Sequence, residues 1–401
     1  MNRIRKRIAA FLLAAVLAAA ACFPAFAAKP AESLSSSVNA LNWKFFDATV
    51  GKDNLFYSPY SLETAFAMAD FGAAGRTRTQ MDDVLGISDL EAFAEQYRAY
   101  AAKEQPATAK LTSANSIWVN SNKASLSPSY LADMQKKMNA SVRTEPFSKQ
   151  TSAHIQAWAA DATNGLIPDY KPVVQTDSVA DLLNAVYFYG EWESPFDKYM
   201  TYTEPFTNAD GVKQNVSMMH QNKNSYRYYA ADGFRGLELP YKNSSIVMDL
   251  ILPAGETDIT VARKWASCSG SERDDFLNSL GTADRRPVSN LALPKFKCDR
   301  SFDNLPEIMR LLGMTDAFDS CRADFSNMGR DLYLSDASHR AVLEVDELGS
   351  RAAAVTEIAV NEKAMLLPDN AVSFCCDIPF VYCIRDTSNG MVLFTGVMNR
   401  V

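Results

Sequence analysis

Histidine is scarce in this chain: 401 residues hold three, His154, His220 and His339. None lies in an HExxH helix, and they are too scattered in sequence to form a cluster with metal-ligand spacing. No GxSxG turn occurs, and no glycine-rich phosphate loop follows a strand, so the common signatures of hydrolases and nucleotide enzymes are missing. Each histidine is therefore expected to be structural. Acidic neighbours such as Asp82-Asp83 could do acid/base work, but they fall on an apparent helix surface and read as a solvated face. The chain is not expected to be an enzyme, and no cofactor or metal is called for.

Cysteine is nearly as sparse, and no pair has the CxxC spacing of a metal or redox site. Beyond Cys22 there are six: Cys268, Cys298, Cys321, Cys375, Cys376 and Cys383. A chain of this length has no need of a disulfide framework, so mostly buried thiols with at most one bridge are expected. Cys375 and Cys376 are adjacent on a strand-like run and should face opposite ways. Positive charge is also short: 40 Lys and Arg against 47 Asp and Glu give −7 for the full chain. That balance disfavours nucleic acid and anionic lipid as partners, and no basic helix face suggests control by a polyanion. Repeats and low-complexity tracts are absent.

The one long apolar run, Ile8 to Ala21, follows Arg3, Arg5, Lys6 and Arg7 and precedes Ala25-Phe26-Ala27. This is the layout of a secretory leader and is short for a span of about 20 residues. Residues 1–27 are expected to be removed, leaving an exported, monomeric chain of 28–401 with no membrane segment. Cys22 offers a second reading as a lipoprotein acylation site. Against it, Ala19 stands where a larger aliphatic is usual, and Phe23-Pro24 is an odd start for a tether.

Helical periodicity dominates the first part, at roughly 34–47, 59–71, 78–86, 89–104, 127–138 and 152–162, with a strand from Leu111 to Val119. From Val179 onward strands prevail: 179–190, 226–231, 235–241, 245–252, 288–297, 331–346, 372–376, 379–385 and 391–398. Ser301 is expected to cap a helix ending at Leu312-Gly313. Thr387-Ser388-Asn389-Gly390 between two apolar runs predicts a hairpin. The pattern is that of an α+β fold with mainly antiparallel sheets. Between about Val345 and Val372 lie some 25 residues without helical period, far beyond the ordinary loop of about 12–15 at most. A loop of that length is expected to be functional.

Several segments stand out in order along the chain: Asn54 to Leu62 (NLFYSPYSL), Gly72 to Thr77 (GAAGRT), Ile155 to Pro168 (IQAWAADATNGLIP) and Asp181 to Asp197 (DLLNAVYFYGEWESPFD). They continue with Leu293-Pro294-Lys295-Phe296, Ile308 to Phe318, Ser335 to Ala341 and Glu344 to Thr356 (EVDELGSRAAAVT). Together they resemble the serpin family of serine protease inhibitors. The resemblance implies three sheets, about nine helices and an exposed reactive loop, here about 347–371. It also implies a suicide mechanism in which a serine or cysteine protease cleaves the loop, the loop inserts into the central sheet, and a covalent 1:1 complex is trapped.

That mechanism makes a demand on the residues. A strand buried on one face needs one parity small or apolar. Ser350, Ala352, Ala354, Thr356, Ile358 and Val360 satisfy it, and every charge from Ser350 to Asn361 falls on the other parity, with Arg351, Ala353, Val355, Glu357, Ala359 and Asn361. Glu347, Gly349, Ser350, Ala352, Ala353, Ala354 and Thr356 form the expected hinge, with Gly349 supplying backbone freedom. No proline interrupts Glu347 to Leu367. Arg351, Leu348 and Val355 depart from the family's usual hinge residues. A non-inhibitory member, acting as a carrier, would typically have a bulky or charged hinge. The resemblance further assigns Ser58, Ser61, Asn184 and His339 to a polar cluster beneath the sheet, and Trp192 to the place where the loop goes in. Counting sixteen residues from Glu347 puts the scissile bond at Lys363-Ala364, which suits a trypsin-like protease. Counting back from Pro379-Phe380 reaches Pro368. Met365 to Leu367 would suit chymotrypsin- or elastase-like enzymes, and Val360 or Glu362 are further alternatives.

Overall fold

The computed structural model describes residues 32–350 and 370–401, apart from 164, 166–175, 177, 223 and 331, and it leaves the side chains at 182, 184, 185 and 336 undescribed. Among these residues there are nine α-helices: α1 Leu34–Thr49, α2 Pro59–Gly72, α3 Gly75–Leu85, α4 Leu90–Ala101, α5 Pro128–Met138, α6 Lys149–Ala162, α7 Val261–Ser267, α8 Gly270–Thr282 and α9 Leu305–Leu312. The strands up to mid-chain are β1 Leu55–Tyr57, β2 Ala109–Asn120, β3 Ser141–Glu145, β4 Ala180–Glu191, β5 Thr201–Thr207, β6 Lys213–Gln221, β7 Ser225–Ala231 and β8 Phe234–Pro240. The rest are β9 Ile246–Pro253, β10 Arg285–Pro294, β11 Phe296–Phe302, β12 Asp336–Val345, β13 Gly349–Ser350, β14 Val372–Cys375, β15 Phe380–Asp386 and β16 Met391–Met398.

One sheet runs β11-β12-β13-β4-β2-β3, and the other β1-β16-β15-β9-β8-β7-β10-β6-β5 with β14 on β10. Most pairings are antiparallel, as the α+β reading requires. The exceptions are β12 with β4, β2 with β3, and β10 with β14. Helix α2 packs on β4 of one sheet and β16 of the other, which explains why nearly its whole length is buried. Ser58 starts it: its Oγ accepts the Ser61 N–H, and Pro59 occupies the first turn, where a missing N–H costs nothing. The hairpin at Asn389-Gly390 forms as expected, with β15 and β16 antiparallel and Gly390 at φ 75°.

Local reading misplaced some details. Ser301 lies in β11, paired with Arg340, and α9 begins after Asn304, which makes no side-chain cap. The six cysteines among the described residues are all free, and of these Cys298, Cys376 and Cys383 are buried. Cys375 is part-exposed and Cys376 buried, in line with opposite faces.

Asp82 is not simply part of a solvated face. It is half-buried and sits against Asp70 of α2, which is fully buried and meets no N–H or hydroxyl donor among the described residues. Burial first, and then the Asp82 carboxyl, push Asp70 up to about 8 despite Arg78. The folded chain therefore holds this proton more tightly than the unfolded one does. The contribution to stability is intact below about pH 4 and is lost as pH rises towards 8. Asp70→Asn should melt above the parent at pH 8.5 by about 4 °C, from a gain of about 2 kcal/mol, with a much smaller gap at pH 5. A gap independent of pH would show that Asp70 titrates as a surface carboxylate does.

Candidate functional site: the seam between β4 and β12

Over most of their shared length β4 and β12 pair directly and in parallel, from Asp181 with Asp336 to Tyr187 with Val342. At the far end they part, and Gly349 and Ser350 lie between them. Ser350 pairs with Val345 and Gly190, and Gly349 with Glu191, antiparallel to both neighbours. The start of the expected hinge thus occupies the seam.

Several contacts fix it there. Asp346 Oδ1 accepts the N–H groups of Leu348 at 2.8 Å and Gly349 at 3.1 Å, turning the chain back towards the sheet. Trp192 donates its backbone N–H to Leu348 O at 2.9 Å and its Nε1–H to Asp346 O at 3.0 Å. Ser350 is fully buried, and its Oγ lies 2.6 Å from the Tyr241 hydroxyl. Tyr241 stacks on Trp192 at 4.7 Å between ring centroids and meets Phe188 edge-on at 4.8 Å. Burial raises the Tyr241 hydroxyl, so it stays protonated and available to this bond.

Glu347 is anchored by Lys295 Nζ at 2.8 Å and by the Thr201 hydroxyl at 3.0 Å. Burial alone would raise its carboxyl, but the bonds to Lys295 and Thr201 outweigh that and hold it below its ordinary value. Gly349 is required for a reason other than backbone freedom. A Cβ there would lie 1.9 Å from Gly190 O, so close approach to β4 excludes any side chain.

The polar cluster lies further along the seam. The Ser58 N–H donates to His339 Nε2 at 3.1 Å, and its Oγ donates to Leu393 O at 2.7 Å. His339 is fully buried, and burial lowers it to about 3, so it is neutral, with its proton on Nδ1. Asn115, Asn184, His339 and Phe302 occupy one row across β2, β4, β12 and β11. Ser58, Ser61 and His339 are thus brought together. Asn184 lies on the same row by its backbone, with its side chain outside the described residues. Trp192 stands apart with the hinge.

Sequence reading missed Asn115, whose Nδ2 reaches Thr64 Oγ1 at 3.4 Å, and it missed Tyr241 and Thr201. Only Lys295 carried a signal, standing within a motif already noted. Ala352, Ala353, Ala354, Thr356, Val360, Glu362, Lys363, Ala364, Met365, Leu366, Leu367 and Pro368 lie outside the described residues, as does Cys22. Among the described residues no group of three or more His, Cys, Asp or Glu side chains could hold a metal.

Fold and seam together define a protein whose central sheet takes up part of its own long loop. The family model for serpins, the serine protease inhibitors, matches residues 36–401. The human leukocyte elastase inhibitor is 31% identical, over 86% of this chain and 92% of that protein. Human antithrombin-III is 31% identical, over 87% of this chain and 77% of that protein. The native-state crystal structure of a thermophilic serpin, tengpin, superposes with a TM-score of 0.83 at 29% identity, covering 92% of this chain and 94% of that one. The chain belongs to the serpin family.

Proposed function

We propose that the chain is an exported suicide inhibitor of serine proteases, trypsin-like enzymes first, that is cleaved at Lys363-Ala364. The observation carrying this reading is the pairing of Gly349 and Ser350 between β4 and β12, antiparallel to both. A strand continuing in that direction exchanges one parallel ladder for two antiparallel ones, and Ser350 already faces inward, as the small-residue parity requires. In the proposed reaction the protease serine Oγ attacks the Lys363 carbonyl carbon. The bond to the Ala364 nitrogen breaks, that nitrogen takes the proton, and Lys363 remains esterified to the protease. Insertion from Ser350 onward then carries the acyl-enzyme away and distorts it before water can complete the cycle. Ser58, Ser61, Asn184 and His339 act as the gate along the seam, and Trp192 with Tyr241 as the floor where insertion begins.

Incubation with a trypsin-like protease should give a 1:1 adduct that survives denaturing electrophoresis, with a released C-terminal fragment starting at Ala364 by mass spectrometry. A fragment starting between Leu366 and Pro368 would move the target to chymotrypsin- or elastase-like enzymes. Cleavage by many proteases with no adduct from any would make the chain a non-inhibitory member.

A further inference from the structure

Three of the four large hydrophobic side chains left exposed among the described residues, Tyr199, Tyr202 and Val212, belong to the β5–β6 hairpin and the chain leading into it. Single exposed apolar residues are ordinary, but two tyrosines three residues apart are not scattered. Tyr199 is 80% exposed, and its backbone is nonetheless fixed. It sits in the short 3₁₀ turn Lys198–Met200, where Asp197 Oδ1 accepts the Tyr199 N–H at 2.9 Å. Tyr202 is 46% exposed, with its ring 5.6 Å from that of His220 on β6 and its hydroxyl 3.1 Å from Met200 Sδ. A tyrosine has only two side-chain torsions, so a pair set this firmly loses little freedom when a partner covers it.

The position of the pair decides what that partner is. The Phe196 N–H donates to Glu347 O at 2.8 Å, and the Thr201 hydroxyl donates to Glu347 Oε1 at 3.0 Å, so the tyrosines flank the segment that holds the start of the long loop. At the loop's other end, Val372 in β14 is tied to β10, which pairs with β6, and β6 with β5. Three strand spacings put β5 about 14 Å from β14. Both feet of the loop therefore stand beside the tyrosines. A protease acting at Lys363 is tethered nine residues from Val372, about 30 Å of chain at full extension, and a domain of about 220 residues has a radius of gyration of about 17 Å. A body of that size on so short a tether reaches the sheet at the loop's base. We propose that Tyr199 and Tyr202 form a docking face for the protease that attacks the loop, a second contact that adds affinity beyond the residues around the scissile bond. Tyrosine suits the task, because it buries a large apolar area and keeps a hydroxyl for a hydrogen bond. The neighbouring charges, Asp197, Lys198 and Glu204, are of mixed sign, so contact and not electrostatic steering carries the effect, and it falls on dissociation. The identity of the partner rests on the inhibitor reading, whereas the contact itself is measured without inhibition.

The probes are trypsin-like proteases whose nucleophilic serine is replaced by alanine, so that the loop is bound but not cut. Surface plasmon resonance with the full-length chain gives Kd for each. For the protease bound most tightly, Tyr199→Ala combined with Tyr202→Ala should weaken binding about tenfold, mostly through faster dissociation. Leu311→Ala, which removes a comparably bare apolar side chain on α9, 73% exposed, should leave Kd unchanged. The double variant should melt with wild type. Should it melt lower, Tyr199→Ala is read alone and must weaken binding at least threefold. Unchanged affinity across the panel, no binding by wild type, or an equal loss in Leu311→Ala overturns the docking face. A chain that active proteases cut without forming an adduct, yet that is bound less tightly after the double substitution, keeps the docking face and loses the inhibitor reading. A chain that forms the adduct but whose affinity ignores both tyrosines keeps the inhibitor reading and loses the docking face.

Discussion

A single cut in the loop, anywhere between residues 363 and 368, should raise the melting temperature of this protein by about 20 °C. The physical source is the seam. Intact, β4 and β12 share one parallel ladder below the two residues of β13. Freed at one end, the loop can continue as a central strand of about 12–15 residues, antiparallel on both sides, which adds on the order of ten net hydrogen bonds at about 1 kcal/mol each. At roughly 2 °C per kcal/mol for a chain of this size, the rise is about 20 °C. Differential scanning calorimetry of intact and cleaved samples checks it. Equal melting temperatures would mean that the loop stays outside the sheet after cleavage and that the intact form stores no energy.

On the proposed mechanism, replacement of Ser350 by arginine should make the chain a protease substrate in place of an inhibitor. Ser350 is fully buried, with its Oγ against the Tyr241 hydroxyl. The guanidinium must either be buried, at several kcal/mol, or hold the hinge out of the seam. On the proposed mechanism, both should delay insertion beyond the lifetime of the acyl-enzyme. The loop should still be cut, the stoichiometry of inhibition should rise about tenfold or more, and the cleaved variant should lack most of the thermal gain above. Ser350→Ala, which loses one hydrogen bond worth about 1 kcal/mol, should remain an inhibitor and serves as the control. Titration of a trypsin-like protease with the three proteins distinguishes them, and an unchanged stoichiometry for Ser350→Arg would place insertion elsewhere. Ala354→Glu, on the same parity, should repeat the effect.

What the sequence determined by itself was local. The Asn389-Gly390 hairpin, the Ser58-Pro59 start of α2 and the inward parity of Ser350 each rest on neighbours in the chain, where turn chemistry, capping and the two-residue period of a strand act directly. The resemblance to serpins was legible because its motifs run in order along nearly the whole chain. Elements without a one-sided pattern escaped. Strand β5 is an edge strand with a single buried residue, Phe206, and α7 and α8 lie in a largely polar stretch. Only the tertiary structure decided the site. It joined Ser350 to Tyr241, Glu347 to Lys295, and Ser58 to His339, pairs far apart in sequence. It also placed Asp82 against Asp70 and gave Gly349 its steric reason, the carbonyl of Gly190. Such partners are selected by which strands lie side by side, and that is set by burying the faces of two sheets around α2, a property of the whole core that no local stretch of residues encodes.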